Sequence, residues 1–353
     1  MIMFHKKCKI LIIQLRQLGD VILTTPLTRQ VRKIFPDAEI HFLTENLGSQ
    51  VYLHNKNINK LIVFPKQMSV PKLFHSYYKL YREKYDLVID CFCNPKSAQF
   101  SFFSAAKERI GFEFSGRKFG YTKLIKQRSN NEYSAITKLR LIAHLGADLE
   151  DNKIELPITP QLKQFAANFF EQHCAIKRRD TAIEPWNDQT EFAQNKKVIA
   201  LNVVSRRDYK IWDAKQFVTL ANFLIDKGYY LFFTYGHGEY DMAKKVYDDL
   251  QKKYCALIDY AIPNITELKA ILERCEMYIG NDGGIKHLAV CADIPTYTIF
   301  QNINWANWTP PNSPKHVAIT NCLEDKDFCK NCTDEAKCFV NLSAEDVIKE
   351  IHL

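Results

Sequence analysis

The sequence predicts an α/β protein with two doubly wound domains, and three observations carry this prediction. The chain has 353 residues, which is more than one hydrophobic core usually serves, so two domains are expected. Short apolar runs alternate with helix-length segments, as in parallel sheets that are covered by helices. The alternation stops in a polar, irregular stretch at 174–197 and then restarts. We therefore expect a first domain over 1–173, a linker over 174–197, a second domain over 198–340 and a C-terminal helix over 341–353.

Strands and helices are predicted throughout the first domain. Ile10–Leu15 is an apolar run of strand length, and a proline suits the first turn of a helix over Pro26–Phe35. Gly146 is a typical helix end, so a helix over Tyr133–Leu145 should stop there. The other predicted elements are strands at Glu39–Leu43, Leu61–Phe64 and Leu87–Cys91 and a helix at Pro71–Lys84.

The same alternation is predicted in the second domain. It starts with a strand over Val198–Val203 and a helix over Ala214–Asp226 that Gly228 closes. The sequence Ser343-Ala-Glu-Asp346 is typical of the start of a helix. The elements between them are predicted as strands Tyr229–Thr234, Met277–Gly280 and Thr296–Phe300 and helices Tyr240–Lys253, Ile265–Arg274 and Ile285–Cys291. Such sheets bind ligands at the carboxyl ends of their strands.

The composition predicts a cytoplasmic protein. Hydrophobic residues make up 46% and charged residues 25% of the chain, as in ordinary globular domains. No apolar run approaches the roughly 18 residues that span a bilayer. Three lysines precede the apolar run Ile10–Leu15, as in a signal peptide, but the run is short and Arg16 and Asp20 follow it. Most of the eleven cysteines are scattered singly, which is typical of reduced compartments.

The net charge of +8 is distributed unevenly. Residues 1–173 hold 26 basic and 15 acidic side chains, a net charge of +11, and the remainder has a net charge of −3. A solvated face is one interpretation. The other is an anionic partner, either a phosphorylated glycolipid, a membrane surface or nucleic acid. The densest basic run contains Lys107, Arg109, Arg117, Lys118, Lys123, Lys126 and Arg128.

Asp20 follows the first predicted strand, in the segment Leu15-Arg-Gln-Leu-Gly-Asp20. One interpretation is a helix N-cap, a position at which Asp is favoured. The other is a general base, because a carboxylate at the carboxyl end of a first parallel strand is well placed in a ligand cleft.

The segment Gly280-Asn-Asp-Gly-Gly-Ile-Lys-His287 also follows a predicted strand and precedes a helix. Its glycines Gly283 and Gly284 allow close approach of the backbone to a ligand, and the new helix presents N–H groups to an anion. A tight turn without a ligand is the simpler interpretation. Asp282 and His287 exceed what such a turn requires, so we favour a binding site.

Two further polar segments follow strands in the second domain. Arg206, Arg207 and Lys210 put three cations after its first strand, which suits a diphosphate, although a surface loop would look the same. Glu239 closes the segment Tyr235-Gly-His-Gly-Glu239, where a carboxylate can bind a pair of ribose hydroxyls. The Gly-x-Gly pattern alone is a weak signal.

Together these segments resemble glycosyltransferase family 9, the bacterial ADP-heptose:lipopolysaccharide heptosyltransferases. The resemblance is most specific at the Asp20 turn with Thr25-Pro26 and at the turn from Gly280 to His287. It includes Lys-x-Trp at Lys210 and Trp212 and Gly-x-Gly-Glu at Glu239. Weaker similarities at Tyr85–Asp90 with Lys96-Ser97, at Arg109–Phe112, and at Cys329-x-x-Cys332 with Cys338 extend it over nearly the whole chain.

The resemblance implies a GT-B fold, in which two Rossmann-like domains face a central cleft, and a reaction without metal or cofactor. The first domain would bind the acceptor and the second ADP-heptose. Asp20 matches the proposed catalytic base, Lys210 a lysine on the donor diphosphate, and Glu239 the nucleotide-binding glutamate. Arg206 would assist Lys210. The donor turn would consist of Asp282, Gly283, Gly284 and His287.

Three positions depart from the pattern of the resembled family. The family usually has Ser or Thr where Gly283 stands, and Pro, Leu or Met where Ile285 stands. Gln17 replaces a common serine before the Asp20 turn. These departures bear on the identity of the sugar more than on the type of reaction.

The implied function is inverting, metal-independent transfer of heptose to the lipopolysaccharide core, onto lipid A–Kdo or a core heptose. Asp20 would deprotonate an acceptor hydroxyl, and Lys210 would stabilise the charge on the departing ADP. The positive first domain predicts an anionic glycolipid acceptor and is compatible with peripheral association at the inner membrane surface. We expect the acceptor to meet Lys96, Arg109, Arg117 and Lys118.

Other functions remain open. An enzyme of the same family could use another sugar or a protein acceptor. A non-catalytic nucleic-acid-binding protein would explain the basic half, but the sequence has no helix-turn-helix, zinc-finger or RNA-recognition motif. A P-loop hydrolase fails, because Gly111-Phe-Glu-Phe-Ser-Gly-Arg117 has Arg where a P-loop has Lys and is followed by Lys118 instead of Ser or Thr.

Four cysteines near the C-terminus have a spacing that suits a metal. They would allow a tetrahedral zinc site, but only one Cys-x-x-Cys pair is present where a strong zinc signal has two. Thiols without a metal are therefore favoured over a structural site. The four are Cys322, Cys329, Cys332 and Cys338.

Overall fold

The computed structural model describes residues 8–65, 67–113, 116–126, 131–176, 197–301, 303–320 and 342–353. The chain divides into two compact units, Met1–Pro157 and Ile158–Leu353. Each unit contains one six-stranded sheet in which all neighbouring strands are parallel. The predicted α/β class with two doubly wound sheets is therefore confirmed.

The sheet of the first unit has the strand order β3-β2-β1-β4-β5-β6. Its central strand β1 (Lys9–Ile13) is apolar on both faces, and Ile10 to Ile13 are fully buried, as expected for a parallel strand covered on both sides. The other strands are β2 (Glu39–Glu45), β3 (Lys60–Phe64), β4 (Leu87–Asp90), β5 (Glu108–Phe112) and β6 (Lys123–Ile125). The helices are α1 (Leu18–Ile22), α2 (Thr25–Ile34), α3 (Asn46–Tyr52), α4 (Val70–Arg82), α5 (Pro95–Phe103) and α6 (Ser134–Arg140).

The sheet of the second unit has the order β12-β11-β10-β7-β8-β9. Its strands are β7 (Val198–Asn202), β8 (Tyr230–Phe233), β9 (Ala256–Leu257), β10 (Met277–Asn281), β11 (Thr296–Ile299) and β12 (His316–Ile319). The helices are α7 (Pro160–Ile176), α8 (Ala214–Asp226), α9 (Tyr240–Asp248), α10 (Ile265–Leu272), α11 (Gly284–Cys291) and α12 (Ala344–Glu350). Counted within its own unit, each sheet has the order 3-2-1-4-5-6, which is that of the doubly wound nucleotide-binding fold.

This strand order determines where ligands can bind. The direction of winding reverses between β1 and β4 in the first sheet and between β7 and β10 in the second. Connections leave the two central strands toward opposite faces there, so a crevice opens at the carboxyl ends of those strands. The segments after these four strands contain Asp20, Lys96, Lys210 and Asp282.

The predicted strands and helices are present, and several others were missed. The structure adds β5, which begins with Glu108 and Arg109, and the edge strands β6, β9 and β12, which are too short or too polar to give a clear apolar run. It also adds the helices α1, α3, α5 and α7. The helix predicted over Tyr133–Leu145 ends at Arg140 and continues as a 3₁₀ turn. Gly146 then ends it with a φ of 104°, as predicted.

Helix α7 packs within the second unit, although its residues up to 173 were assigned to the first domain. The Phe169 ring is buried and lies 5.6 Å from the Phe232 ring and 5.8 Å from the Tyr260 ring. Aromatic contacts of this kind attach the helix to β8 and the loop after β9. Most of the predicted linker, residues 177–196, lies outside the described residues, so the proposed boundaries stay predictions.

The last helix begins where the sequence predicts. Ser343 is the N-cap of α12, and its hydroxyl accepts a hydrogen bond from the Asp346 N–H at 3.2 Å. The Asp346 carboxylate in turn accepts the Ser343 N–H, which completes a capping box. None of the helices in the described part of the chain is long and apolar enough to cross a bilayer.

Candidate functional site

Asp20 lies beyond the carboxyl end of β1, at the switch point of the first sheet. It is the third residue of α1, and Gln17 is the N-cap. The interpretation of Asp20 as a helix N-cap is therefore wrong, because Asp20 lies inside the first turn, three residues after the N-cap. The side chain is 25% exposed, so the carboxylate can reach a ligand in the crevice.

A buried lysine holds the Asp20 carboxylate. Lys138 of α6 is 7% exposed, and its Nζ lies 3.5 Å from Asp20 Oδ1 and 3.3 Å from Gln14 Oε1. Gln14 is fully buried, and its amide donates to the Arg16 carbonyl at 2.6 Å. Lys138, itself held by Gln14, therefore contacts the Asp20 carboxylate from the interior of the unit. The only sequence signal for Lys138 was its position on the apolar face of α6, next to buried Ala135 and Leu139.

Lys96 lies across the switch point from Asp20, at the start of α5. Asn94 begins this helix by accepting the Ser97 N–H in a capping box. The Lys96 Nζ lies 4.3 Å from the centre of the Phe64 ring and 3.9 Å from Glu45 Oε1. Arg16 Nε lies 3.7 Å from the same oxygen. Two cations therefore share one carboxylate at this edge, and neither Arg16 nor Glu45 was predicted.

The other predicted acceptor residues lie away from this edge. Arg109 is paired with Val88, which is also the partner of Leu11, so it is level with the middle of β1 and not with its carboxyl end. The Arg109 guanidinium donates to the carbonyls of Gly120 at 3.1 Å and Ala106 at 2.8 Å. It thus ties β5 to a 3₁₀ turn, Lys118–Gly120. Arg117 and Lys118 lie at this turn, and the structure does not bring them to Asp20.

In the second unit, a buried tryptophan positions the cationic loop after β7. Trp212 is fully buried, and its indole N–H donates to the Leu342 carbonyl at 3.0 Å. Its backbone N–H donates to Asn281 Oδ1 at 3.1 Å, and Asn281 is the last residue of β10. The Lys-x-Trp segment is therefore fastened to the turn after the neighbouring strand. Asn281 was not singled out from the sequence.

Lys210 and Asp282 meet at the switch point of the second sheet. They are 72 residues apart in sequence, and the Lys210 ammonium donates a hydrogen bond to the Asp282 carboxylate. Asp282 is 7% exposed, whereas 23% of the Lys210 side chain is exposed. An ammonium has three donors, so Lys210 can bind Asp282 and an anion together. Arg206 lies exposed in the same loop.

A second lysine lies behind this pair. Lys286 of α11 is fully buried and donates to the Trp308 carbonyl. The pKa of Lys286 falls to about 8, because burial lowers it strongly; Asp282 partly opposes this effect and Lys210 adds to it. Lys286 was not singled out from the sequence, although it is buried in α11 next to His287.

His287 is also buried in this cluster. Burial holds its pKa well below the ordinary value, and Lys286 and Lys210 act in the same direction. The imidazole is therefore neutral near pH 7. Its Nδ1 has no hydrogen-bond partner within the described part of the chain, and its ring lies 6.2 Å from the Trp308 ring.

Glu239 lies on the same side of the sheet as Asp282. Its carboxylate accepts the Gly236 N–H at 2.7 Å, which closes the turn after β8. Both acids act on buried Tyr278: burial raises the pKa of its phenol most, and Asp282 and then Glu239 raise it further. The side chain of Glu239 is only partly buried, so one oxygen can bind a ligand.

The turn after β10 leaves room for a ligand. Gly283 is extended at φ −171° and is the N-cap of α11, which begins at Gly284. A Cβ at Gly283 would meet no atom within 4 Å, so packing does not enforce the departure from Ser or Thr. Several buried polar atoms around the turn lack partners in the described chain, which in native proteins points to water or ligand. They are Asn281 Nδ2, His287 Nδ1, Thr298 Oγ1, Asn307 Oδ1 and Thr309 Oγ1.

Side chains of the types that bind metals lie close together at a different place in the first unit. Within the described ranges, Glu39, His41 and Glu83 lie close enough together for an ion. Lys9 already bonds Glu83 and lies 3.3 Å from Glu39, and hydrogen bonds from Lys60 and Lys9 lower the pKa of Glu83 to about 2. The group is therefore an ion-pair network at the amino ends of β1 and β2. The predicted cysteine group, Cys322, Cys329, Cys332 and Cys338, lies outside the described residues.

Replacing Lys286 by Met should stabilise the protein at neutral pH. The pKa of Lys286 is about 8 in the folded chain and about 10.5 when unfolded, so the unfolded chain binds more protons between these values and the free energy of unfolding rises with pH. The lysine therefore destabilises the fold below pH 8, by up to about 3 kcal/mol.

Urea unfolding of Lys286→Met and the wild type at pH 7 and pH 10 measures this effect. We expect the variant to be more stable at pH 7 and the difference to shrink at pH 10. Lys315→Met, at an exposed position, is the control and should show no such change. A difference that stays the same at both pH values would contradict the assignment to Lys286.

Comparison with known proteins identifies the family. The model of glycosyltransferase family 9 (heptosyltransferase) matches residues 74–339. The chain is 23% identical over 362 residues to lipopolysaccharide heptosyltransferase 1 of Campylobacter coli, covering 97% of both chains. Its fold is similar to a family 9 glycosyl transferase from Veillonella parvula, with a TM-score of 0.77, 21% identity and 97% and 95% of the two chains covered.

A second solved structure has the same two-sheet architecture. The ADP-heptose lps heptosyltransferase II of Escherichia coli matches with a TM-score of 0.72 and 17% identity, covering 97% of both chains. This likeness shows that the two six-stranded units form a GT-B fold. Because the family model spans three quarters of the sequence and includes the Lys210 loop and the Asp282 turn, the chain belongs to glycosyltransferase family 9, the heptosyltransferases.

Proposed function

We propose that this glycosyltransferase transfers heptose from ADP-heptose to the lipopolysaccharide core with inversion and without a metal. The observation that carries the proposal is the meeting of Lys210 and Asp282 beside buried Lys286 at the switch point of the second sheet. Relatives named as lipopolysaccharide heptosyltransferases support the sugar and the acceptor.

The second unit would bind the donor. Lys210, Lys286 and the N–H groups at the start of α11 supply positive charge for a diphosphate. This charge stabilises the negative charge that develops on ADP as its bond to the anomeric carbon breaks. Glu239 has a carboxylate oxygen that can accept the ribose hydroxyls. Fixed cations in a crevice can thus do the work that Mg²⁺ does in other transferases.

Asp20 would act as the general base in the first unit. The acceptor hydroxyl oxygen attacks the anomeric carbon from the face opposite the diphosphate, its proton passes to Asp20, and ADP leaves with the bonding electrons. Inversion follows from this single displacement. Lys138, which Gln14 holds in place, would keep the Asp20 carboxylate in a fixed orientation. This reduces the reorganisation that is needed to reach the transition state.

An anionic glycolipid is the acceptor that best matches the first unit. The excess positive charge of the chain is concentrated in residues 1–173, which include this unit. Arg16 and Lys96 lie at the edge of the sheet that holds Asp20. These two cations are better placed for acceptor phosphates than Arg109, whose guanidinium is used inside the fold. The enzyme would then work at the membrane surface that contains the glycolipid.

Release of ADP tests the proposed reaction. The purified chain should release ADP from ADP-heptose only when a deacylated lipopolysaccharide core is added, and mass spectrometry should find a core heavier by one heptose. Activity should survive exhaustive EDTA treatment. Turnover with an ADP-hexose but not with ADP-heptose would favour another sugar, and loss that Mg²⁺ or Mn²⁺ restores would contradict the metal-free mechanism.

A further inference from the structure

Helix α4 exposes a row of aromatic side chains. Only two of its 13 residues are buried. Phe74, Tyr78 and Tyr81 are 61%, 54% and 57% exposed, and Val70 is 64% exposed. Their spacing of four, four and three residues puts all of them on one side of the helix. Single exposed apolar residues are common, but a contiguous patch of this kind marks an interaction surface.

Ring contacts join this row to α5 and to the 3₁₀ turn at Lys118–Gly120. The Tyr77 ring lies 6.1 Å from Phe74 and 4.4 Å from Phe103. The Phe102 ring lies 5.3 Å from Phe103 and 5.9 Å from Phe119. Phe102, Phe103 and Phe119 are 45%, 39% and 54% exposed. We call the exposed members the aromatic face: Val70, Phe74, Tyr78, Tyr81, Phe102, Phe103 and Phe119.

The aromatic face lies in chain segments without carboxylates. Residues 46–82, 91–107 and 114–131 contain no Asp or Glu but thirteen Lys and Arg. Exposed cations border the rings: Arg82 donates to the Tyr78 hydroxyl one turn earlier on α4, and Lys118 precedes Phe119. Lys72 and Lys79 are exposed on the other flank of the helix. The face therefore combines exposed apolar area with a positive field, which is complementary to an anionic surface.

A groove beside α4 adjoins this face at Tyr78. It has a volume of about 770 Å³ and is lined by apolar side chains together with polar and charged ones, namely Lys60, His75, Ser76, Tyr78, Lys79, Arg82 and Glu83. A rigid protein partner would need a matching protrusion to fill it, whereas a fluid acyl chain adapts to its shape. The apolar lining includes Ile62, Phe64, Met68, Leu80 and Phe100.

We infer that the first unit docks on an anionic lipid bilayer through the aromatic face. Aromatic rings are favourable at headgroup depth, where their apolar bodies leave water, and lysine and arginine side chains bind the lipid phosphates. The docking is peripheral and electrostatic, so it weakens with salt. This inference rests on the proposed function in one respect: a glycolipid acceptor would lie in an anionic bilayer of this kind.

Vesicle sedimentation with the full-length protein tests the docking in the absence of donor and acceptor. The protein should bind phosphatidylcholine vesicles that contain about 30% phosphatidylglycerol and bind pure phosphatidylcholine at least about tenfold more weakly. Phe74→Ser/Tyr78→Ser and Lys79→Glu/Arg82→Glu should each lower the partition coefficient at least about tenfold. All four positions are exposed, so the melting temperature should not change.

Matched variants on the second unit control for general loss of aromatic area and positive charge. Phe165→Ser/Tyr254→Ser removes rings that are 38% and 44% exposed, and Lys163→Glu/Lys227→Glu reverses two exposed charges. Both should bind vesicles like the wild type. Transfer to a deacylated, soluble core should be unchanged in all four variants, which separates docking from the proposed reaction.

Two outcomes would overturn the inference. One is vesicle binding that is absent in the wild type or equal in the face variants and their controls. The other is a wild-type dimer that Phe74→Ser/Tyr78→Ser converts to a monomer without change in vesicle binding, because the aromatic face would then join two copies of the chain. Failure of the proposed function would instead appear as normal vesicle binding without transfer to the soluble core.

Discussion

Asp20→Asn should keep the fold and lower the rate of transfer about 10²- to 10⁴-fold, which is the usual contribution of a general base. The amide has the shape of the carboxylate and can still accept a hydrogen bond from Lys138, which lies 3.5 Å from Asp20 Oδ1. It cannot take a proton from the acceptor hydroxyl. The expected loss is therefore in kcat, with the affinity for ADP unchanged because the donor would bind in the other unit.

Two variants make this result specific. Asp37→Asn removes an exposed carboxylate of the same unit and should leave kcat unchanged. Lys138→Met removes the cation that aims Asp20 and should lower kcat less than Asp20→Asn does, because the base itself remains. Near-normal turnover of a folded Asp20→Asn protein would remove Asp20 from the catalytic role.

The position of Asp20 beyond the carboxyl end of β1 could be predicted from the sequence, because residues close to it in the chain determine that position. A strand, a glycine and a helix follow each other within a few residues, and the carboxyl end of a first parallel strand is a known ligand site. Lys138 could not be found in this way, because it reaches Asp20 from a helix 118 positions further along the chain. The packing of α6 against α2 determines that contact.

The cations of the first unit show the limit of reasoning from charge alone. Arg109 and Lys96 look alike in the sequence, yet the Arg109 guanidinium bonds two carbonyls inside the unit and Lys96 lies at the switch point. The strand register decides this difference, because Arg109 lies near the amino end of β5 and Lys96 follows the carboxyl end of β4. The register depends on which strands pair, and paired strands are far apart in the sequence. The residues around Arg109 or Lys96 therefore do not reveal it.

The fold itself was predictable where burial gives a strong pattern. The central strands β1, β4, β7 and β10 are buried on both faces and appear as continuous apolar runs. The edge strand β6 has only three residues, all half-buried, and β9 has two. Such edge strands form by pairing with a neighbouring strand of the sheet. Their own residues therefore give only a weak signal of strand structure in the sequence.

Lys210→Ala should weaken ADP binding about 10- to 100-fold, which is the range expected for a lost charge-assisted hydrogen bond to a diphosphate. It should also lower kcat, because the same charge stabilises ADP as it leaves. Titration calorimetry with ADP and steady-state rates measure the two effects. Lys215→Ala, in an exposed position five residues away, should change neither, and Lys210→Arg should retain part of the affinity.

Removing Lys210 also leaves Asp282 without its ion-pair partner, and Asp282 is 7% exposed. An unpaired carboxylate at that depth destabilises the fold, so lost ADP affinity could reflect a disturbed turn. Lys210→Ala/Asp282→Asn separates the two causes, because the amide carries no charge to pair. If Lys210 binds the diphosphate itself, the double variant should regain melting temperature and still bind ADP weakly. Recovery of ADP affinity together with stability would assign Lys210 a purely structural role, with Lys286 and the start of α11 binding the anion.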